Sequence, residues 1–188
     1  DQHSESAAVS RRSSVANATS NSSQFAPRRR EVFLYCDGSC LSGGRVGAWG
    51  FLSIDGETGH RISNGQAHFD TTNNRIELTA VIEGLSSLTE SSQVHLVLDS
   101  RYVADGITHR LPNWIANNWR TTGRRRSRVQ NVDLWQQLVT QLERHEVDCS
   151  WVRGHSGHPE NEFVDHMANT IAEQALQHIA SSPFVASS

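Results

Sequence analysis

The run Val32-Phe33-Leu34-Tyr35-Cys36 leads straight into Asp37, and Gly38-Ser39 breaks it. Apolar, β-prone residues closed by Gly predict a strand buried on both faces. A carboxylate in that place costs several kcal/mol unless it is paired, hydrogen-bonded or metal-bound. Three further acids share the predicament. Asp99 follows Val94, Leu96 and Leu98, at the carboxyl end of a predicted strand, where open α/β sheets bind their ligands. Glu77 falls in the first turn of a helix expected over 74–88, one position before Leu78. Asp165 falls early in a final helix, one position after Val164. Both border the apolar stripe that must face the sheet.

Each acid alone has an ordinary explanation. Asn74 with Glu77 makes a capping box, and an acid suits the start of a helix. Asp99 can cap the short helix opened by Ser100, and Asp165 can be surface. Asp37 has the weakest such explanation, because its flanks are so apolar. Together, four acids at the rim of one sheet repel unless cations sit between them. Hard oxygen ligands suit Mg²⁺ or Mn²⁺ rather than zinc. Two such ions about 3.5–4 Å apart activate a water and stabilise the leaving oxygen of a phosphodiester.

The elements that must position these acids follow from periodicity. After the first strand, Ala48–Ile54 reads as a second, Asp55-Gly56 as a turn, and Gly59–Phe69 as a third. Short turns make the three antiparallel. The first helix carries Leu78, Val81, Leu85 and Leu88 at helical spacing. Pro112 starts a helix containing Trp114, Ile115 and Trp119. Asn131 to about Arg144 is another, with Trp135, Leu138 and Leu142 as its stripe. Val147, Cys149 and Trp151 alternate as a last strand, and Pro159 fits the first turn of the final helix. Three strands followed by alternating helix and strand predict an α/β fold: a mixed five-stranded sheet with helices on both faces.

The chain has 188 residues and three Cys, with no CxxC pair. That argues against a disulfide framework or a zinc site and for a reducing, intracellular setting, with the cytoplasm expected. No run of about 18 apolar residues exists, so no membrane span is expected. All 17 basic residues are Arg. Seven lie between Arg101 and Arg128 against the single acid Asp105, leaving that segment at +6 and the remainder of a −3 chain at −9. A local basic patch on an acidic protein points to a docked polyanion, and Arg124-Arg125-Arg126-Ser127-Arg128 is too dense for ordinary surface. Residues 1–30, rich in Ser, Asn and Arg, are expected to be a disordered tail, with only a faint likeness to an organelle transit segment. A folded unit is expected over 31–178, with a basic protrusion at about 111–130 and a flexible C-terminus over 179–188.

Five segments in order carry a resemblance. They are Tyr35-Cys-Asp-Gly-Ser-Cys40, Thr71-Thr-Asn-Asn-Arg-Ile-Glu77-Leu78, Leu98-Asp-Ser-Arg-Tyr-Val103, Asn131-Val-Asp-Leu-Trp135 and Trp151-Val-Arg-Gly-His155 through Asp165. At this spacing the chain resembles type 1 ribonuclease H, from about Glu31 to His178. The resemblance implies a ribonuclease H-like fold and an endonuclease that cuts the RNA strand of RNA/DNA hybrids with two divalent ions, leaving 5′-phosphate and 3′-hydroxyl ends. Asp37, Glu77, Asp99 and Asp165 match its metal-binding acids, and His155 its mobile-loop histidine. It further implies that Cys40, Asn73, Asn74 and Arg101 read RNA 2′-hydroxyls, that Thr72 and Asn131 hold a DNA phosphate, and that Trp119, Arg124, Arg125 and Arg126 lie along the DNA backbone. For Trp114, core packing and DNA contact stand as equal readings. Asp70 departs from the Arg that many relatives carry, which weakens the expected DNA grip. Mg²⁺ is the expected cofactor, with Mn²⁺ as the substitute, and a hybrid duplex the expected partner of a monomer. Two alternatives remain open from the sequence: a non-catalytic binder of hybrids or double-stranded RNA, and the nuclease domain of a retroelement polyprotein.

Overall fold

A computed structural model describes residues 27–182. The expectations for residues 1–26 and 183–188 lie outside these. Strands β1 (Arg30–Leu41), β2 (Val46–Asp55) and β3 (Arg61–Phe69) form an antiparallel meander, and β4 (Ser92–Leu98) and β5 (Glu146–Trp151) join parallel to β1. The sheet order is β3-β2-β1-β4-β5. The helices are α1 (Asn73–Ser86), α2 (Arg101–Asp105), α3 (Leu111–Ala116), α4 (Val132–Arg144) and α5 (Pro159–Ser181). This is the mixed five-stranded architecture that periodicity predicted. Among the described residues no helix is long and apolar enough to cross a membrane.

The strand buried on both faces is β2, not the start of β1. Val46 through Ser53 are all buried, whereas β1 alternates, with Val32, Leu34 and Cys36 inside and Phe33 and Tyr35 half-buried. Helix α1 packs over one face of β1 and β2, with α4 behind it, and α5 packs over β1, β2 and β3. Leu34 and Cys36 meet α1 at Gly84, while Ser39, on the other side of β1, hydrogen-bonds Asn169 of α5. Helices therefore cover both faces.

Local starts differ from expectation. Thr72, not Asn74, caps α1, its Oγ1 accepting from the Arg75 N–H at 3.3 Å. The helix thus begins earlier, and Glu77 lies beyond its first turn with no capping role. Ser100, not Asp99, caps α2 by accepting from the Val103 N–H. A wide π turn over Gly106–Arg110 leads into α3 directly ahead of Pro112, which has no N–H to keep an α-helical ladder. At the carboxyl end α5 runs through Ser181, past the expected boundary at 178, because Ile171, Ala175, Leu176 and Ile179 keep packing on Val46, Ala48 and Ala172. At the other end Arg30, assigned to the tail, is already the first residue of β1.

Candidate active site

Three elements bring the first acids together. Asp37 sits on β1, Glu77 on α1 and Asp99 just past β4. One carboxylate oxygen from each lies within 4.8 Å of the other two. The approach of α1 to β1 needs glycine: a Cβ on Gly38 would stand 2.3 Å from Ile76 Cγ2 and 3.2 Å from the Glu77 nitrogen. Asp165, on the first half of α5, lies outside this group of three. Its charge is felt at Asp37, and its Oδ1 accepts from Asn169 Nδ2 at 3.3 Å.

Asp37 is 2% exposed. Its Oδ1 accepts from the Gly38 N–H at 2.8 Å, and its Oδ2 is buried with no partner. Burial, reinforced by the Asp99 charge, lifts the Asp37 carboxyl to about 8, against the pull of the Gly38 N–H. Burial raises Glu77 well above the usual carboxylate range, and the Asp37 and Asp99 charges raise it further. An orphaned buried oxygen among crowded hard oxygen donors fits a divalent cation. Such an ion would restore the ionised forms that crowding disfavours.

His155 stands on the loop between β5 and α5, exposed and in the left-handed region at φ 55°, with Nδ1 3.9 Å from Asp165 Oδ2. Gly154 passes so near Asp99 that a Cβ would lie 3.0 Å from Asp99 Oδ2. The loop therefore touches two of the four acids.

The expected substrate contacts divide into groups. Cys40, Thr72 and Asn73 line one groove with Gly43, Gly44 and Thr71. Asn74 is exposed on the first turn of α1 beside it. Arg101 opens α2 and lies over the Trp151 ring, its Cζ 3.8 Å from the ring centroid. Asn131, left-handed at φ 55°, heads α4; its Oδ1 accepts from Arg75 at 3.3 Å and its Nδ2 donates to Tyr102 Oη at 3.1 Å. Arg124, Arg125 and Arg126 are exposed on the loop before α4. Trp119 is half-buried at φ 60°, and its carbonyl accepts from the Val129 N–H at 2.9 Å. Trp114 packs edge-on against Trp135 at 5.1 Å, which favours the core reading.

Residues that the sequence did not tie to the acids also shape the site, Trp151 among them: alternation placed it on the last strand, and it is exposed. Trp151 Nε1 donates to the Asp99 carbonyl at 2.8 Å. Arg75 forks between Asn131 and Asp133, reaching Asp133 Oδ2 at 2.8 Å. Asn169, four residues after Asp165 on the same helix face, was within reach of the spacing rule.

An open mixed sheet with a carboxylate cluster on its central strands is an arrangement suited to the class of metal-assisted phosphodiester-cleaving nucleases. The family model for RNase H matches residues 29–173. Curated proteins named Ribonuclease H from Hahella chejuensis and Hydrogenovibrio crunogenus are 44% and 46% identical over 147 and 145 residues, covering 78% and 77% of this chain and 97% of each relative. The chain belongs to the ribonuclease H family. Among solved structures, LC9-RNase H1, described as a type 1 RNase H with the type 2 active-site motif, superposes with a TM-score of 0.69 at 32% identity, over 79% of this chain and 74% of that one. The N-terminal RNase H domain of a Mycobacterium tuberculosis protein, at 19% identity, shares the fold with a TM-score of 0.63, over 80% of this chain and 99% of that one.

Proposed function

We propose that this chain hydrolyses the RNA strand of RNA/DNA hybrids, with Asp37, Glu77, Asp99 and Asp165 holding two divalent ions, Mg²⁺ first and Mn²⁺ as substitute. The carrying observation is the convergence of three acids within 4.8 Å around a buried, unpartnered Asp37 oxygen. When bound, the ions supply an activated water and charge stabilisation at the leaving oxygen. The remaining work falls to the protein. The Gly38 N–H orients the Asp37 carboxylate, and Asn169 Nδ2 donates to Asp165. His155 Nδ1, exposed and 3.9 Å from Asp165, is placed to accept or return a proton at the open side of the rim.

Substrate choice follows from shape. A hybrid displays 2′-hydroxyls on one strand only, in a wide minor groove. The groove lined by Cys40, Thr72 and Asn73 offers short polar groups at the correct scale for such hydroxyls. Thr72 and Asn131 are assigned to a DNA phosphate, and the arginines 124–126, which are exposed, are assigned to the same strand further along. Clustered acids have no use in a pure binder, so the catalytic reading is preferred to a binding module.

A labelled hybrid incubated with the protein and Mg²⁺ is the direct test. Cleavage confined to the RNA strand, lost in Asp37→Asn while hybrid binding persists, is the expected result. Intact RNA after prolonged incubation with folded protein would remove the proposal.

A further inference from the structure

We propose that Trp151 is a positioning residue which joins the metal-site acid Asp99 to Arg101, and that Arg101 thereby takes a backbone phosphate of the strand being cut. The inference rests on the nuclease reading above and deepens it.

The geometry has two arms. The indole Nε1–H donates to the main-chain carbonyl of Asp99 at 2.8 Å. The indole face carries the Arg101 guanidinium, Cζ 3.8 Å from the centroid. A cation on an aromatic face at this distance is attracted by the ring quadrupole, and a planar guanidinium stacks flat there. One side chain thus holds two residues that α2 and the end of β4 place on either side of Ser100.

Arg101 is otherwise uncommitted. It is exposed, and among the described residues it enters no ion pair. A permanently charged fork with five donors and no acceptor, held beside a carboxylate cluster, is built for an anion. A sugar hydroxyl would use one donor and leave the charge uncompensated. A phosphate next to the one being cleaved compensates the charge and can be gripped by two donors. Stacking removes rotamer freedom before binding, so less is lost when the phosphate arrives.

Steady-state cleavage of a labelled hybrid over a range of salt concentrations tests this, with folding of each variant checked by its thermal midpoint. Arg101→Gln should raise KM about tenfold with kcat changed less than about twofold, the pattern expected when uniform binding is weakened. It should also lower the slope of log KM against log salt by about 0.7–0.9, the signature of one phosphate contact. Trp151→Leu should raise KM similarly, and the double variant should be no worse than the poorer single, because the two act through one contact. Trp151→Phe keeps the face and removes the N–H, so KM should recover towards wild type while kcat falls about three- to tenfold through the loosened Asp99 backbone.

An unchanged salt slope in Arg101→Gln would assign a hydroxyl contact and overturn the phosphate assignment. Fully additive KM effects in the double variant would overturn the positioning role. A wild-type protein that never cleaves a hybrid would instead remove the nuclease reading itself.

Discussion

Gly38 on β1 and Ile76 on α1 are in contact so close that a methyl group on Gly38 would stand 2.3 Å from Ile76 Cγ2. This approach sets the distance between Asp37 and Glu77, the chain neighbours of the two touching residues. Gly38→Ala must push α1 outward. The expected outcome is a stability decrease of about 1–3 kcal/mol in denaturant titration, as for overpacked sites. Cleavage should fall by about 10²-fold, as for an ångström-scale misplacement. Wild-type activity in that variant would show that the acids tolerate a looser spacing than this approach imposes.

Removal of metal should be visible in stability. Without a cation the carboxylates crowd one another around a buried Asp37, and a cation binds only the folded arrangement. At a Mg²⁺ concentration about 100 times its dissociation constant, the fold should gain about 2.7 kcal/mol. Calorimetry with and without Mg²⁺ measures it. Asp37→Asn should melt no lower than wild type without metal, because a buried charge is gone, and should respond far less to Mg²⁺. Equal midpoints for wild type with and without millimolar Mg²⁺ would count against an assembled ion site.

His95 on β4 lies between Glu31 of β1 and Asp148 of β5, 2.7 Å from each through opposite ring nitrogens, and stacks on Phe33. Burial disfavours its charge, but the two carboxylates outweigh that and raise its pKa above the ordinary value. A raised folded-state pKa contributes stability that is fully present below the unfolded value of about 6.5 and is lost as pH rises through the folded one. His95→Gln should therefore lower the thermal midpoint at pH 5–6 and converge with wild type at alkaline pH. Parallel curves across the whole range would disprove the triad's role.

The exposed arginines at 124–126 form no ion pair among the described residues. Replacing all three by Gln should leave the thermal midpoint within about a degree, since surface changes of this kind are near neutral. Hybrid binding should weaken at low salt, and the salt slope should fall by about 0.7–0.9 for each phosphate that is no longer neutralised. Filter binding at several ionic strengths reads both. An unaltered slope would place the loop away from the duplex.

Much of the architecture could be read along the chain. The alternation of Val94, Leu96 and Leu98 and the spacing of Leu78, Val81 and Leu85 are local periodicities, and the buried residues of β4 and α1 follow them. Boundaries were less legible. The Asn74 and Glu77 spacing imitates a capping box, yet Thr72 is extended and takes the cap, because backbone dihedrals decide which side-chain oxygen can accept from a first-turn amide. β2 is buried on both faces beneath α1 and α5, which lie over β1 as well, and no window of sequence contains those helices' placement.

At the site, apolar flanks were enough to mark Asp37 as misplaced for an ordinary core, and residue type alone pointed to hard cations as the expected ligands. Asn131 and Trp114 illustrate the other side. Their side chains are engaged by Arg75, Tyr102 and Trp135, partners brought in by packing between α1, α2 and α4.

The sequence by itself determined the element types, the kinds of ligand and the basic stretch before α4, because side-chain chemistry and the periods 2 and 3.6 are properties of neighbours along the chain. Tertiary structure alone decided that Asp37, Glu77 and Asp99 meet within 4.8 Å, that Asp37 Oδ2 is left unpartnered, and that Trp151 reaches both Asp99 and Arg101. The physical reason is that desolvation, mutual charge and stacking depend on distances between groups tens of residues apart, and close packing of helices on the sheet sets those distances.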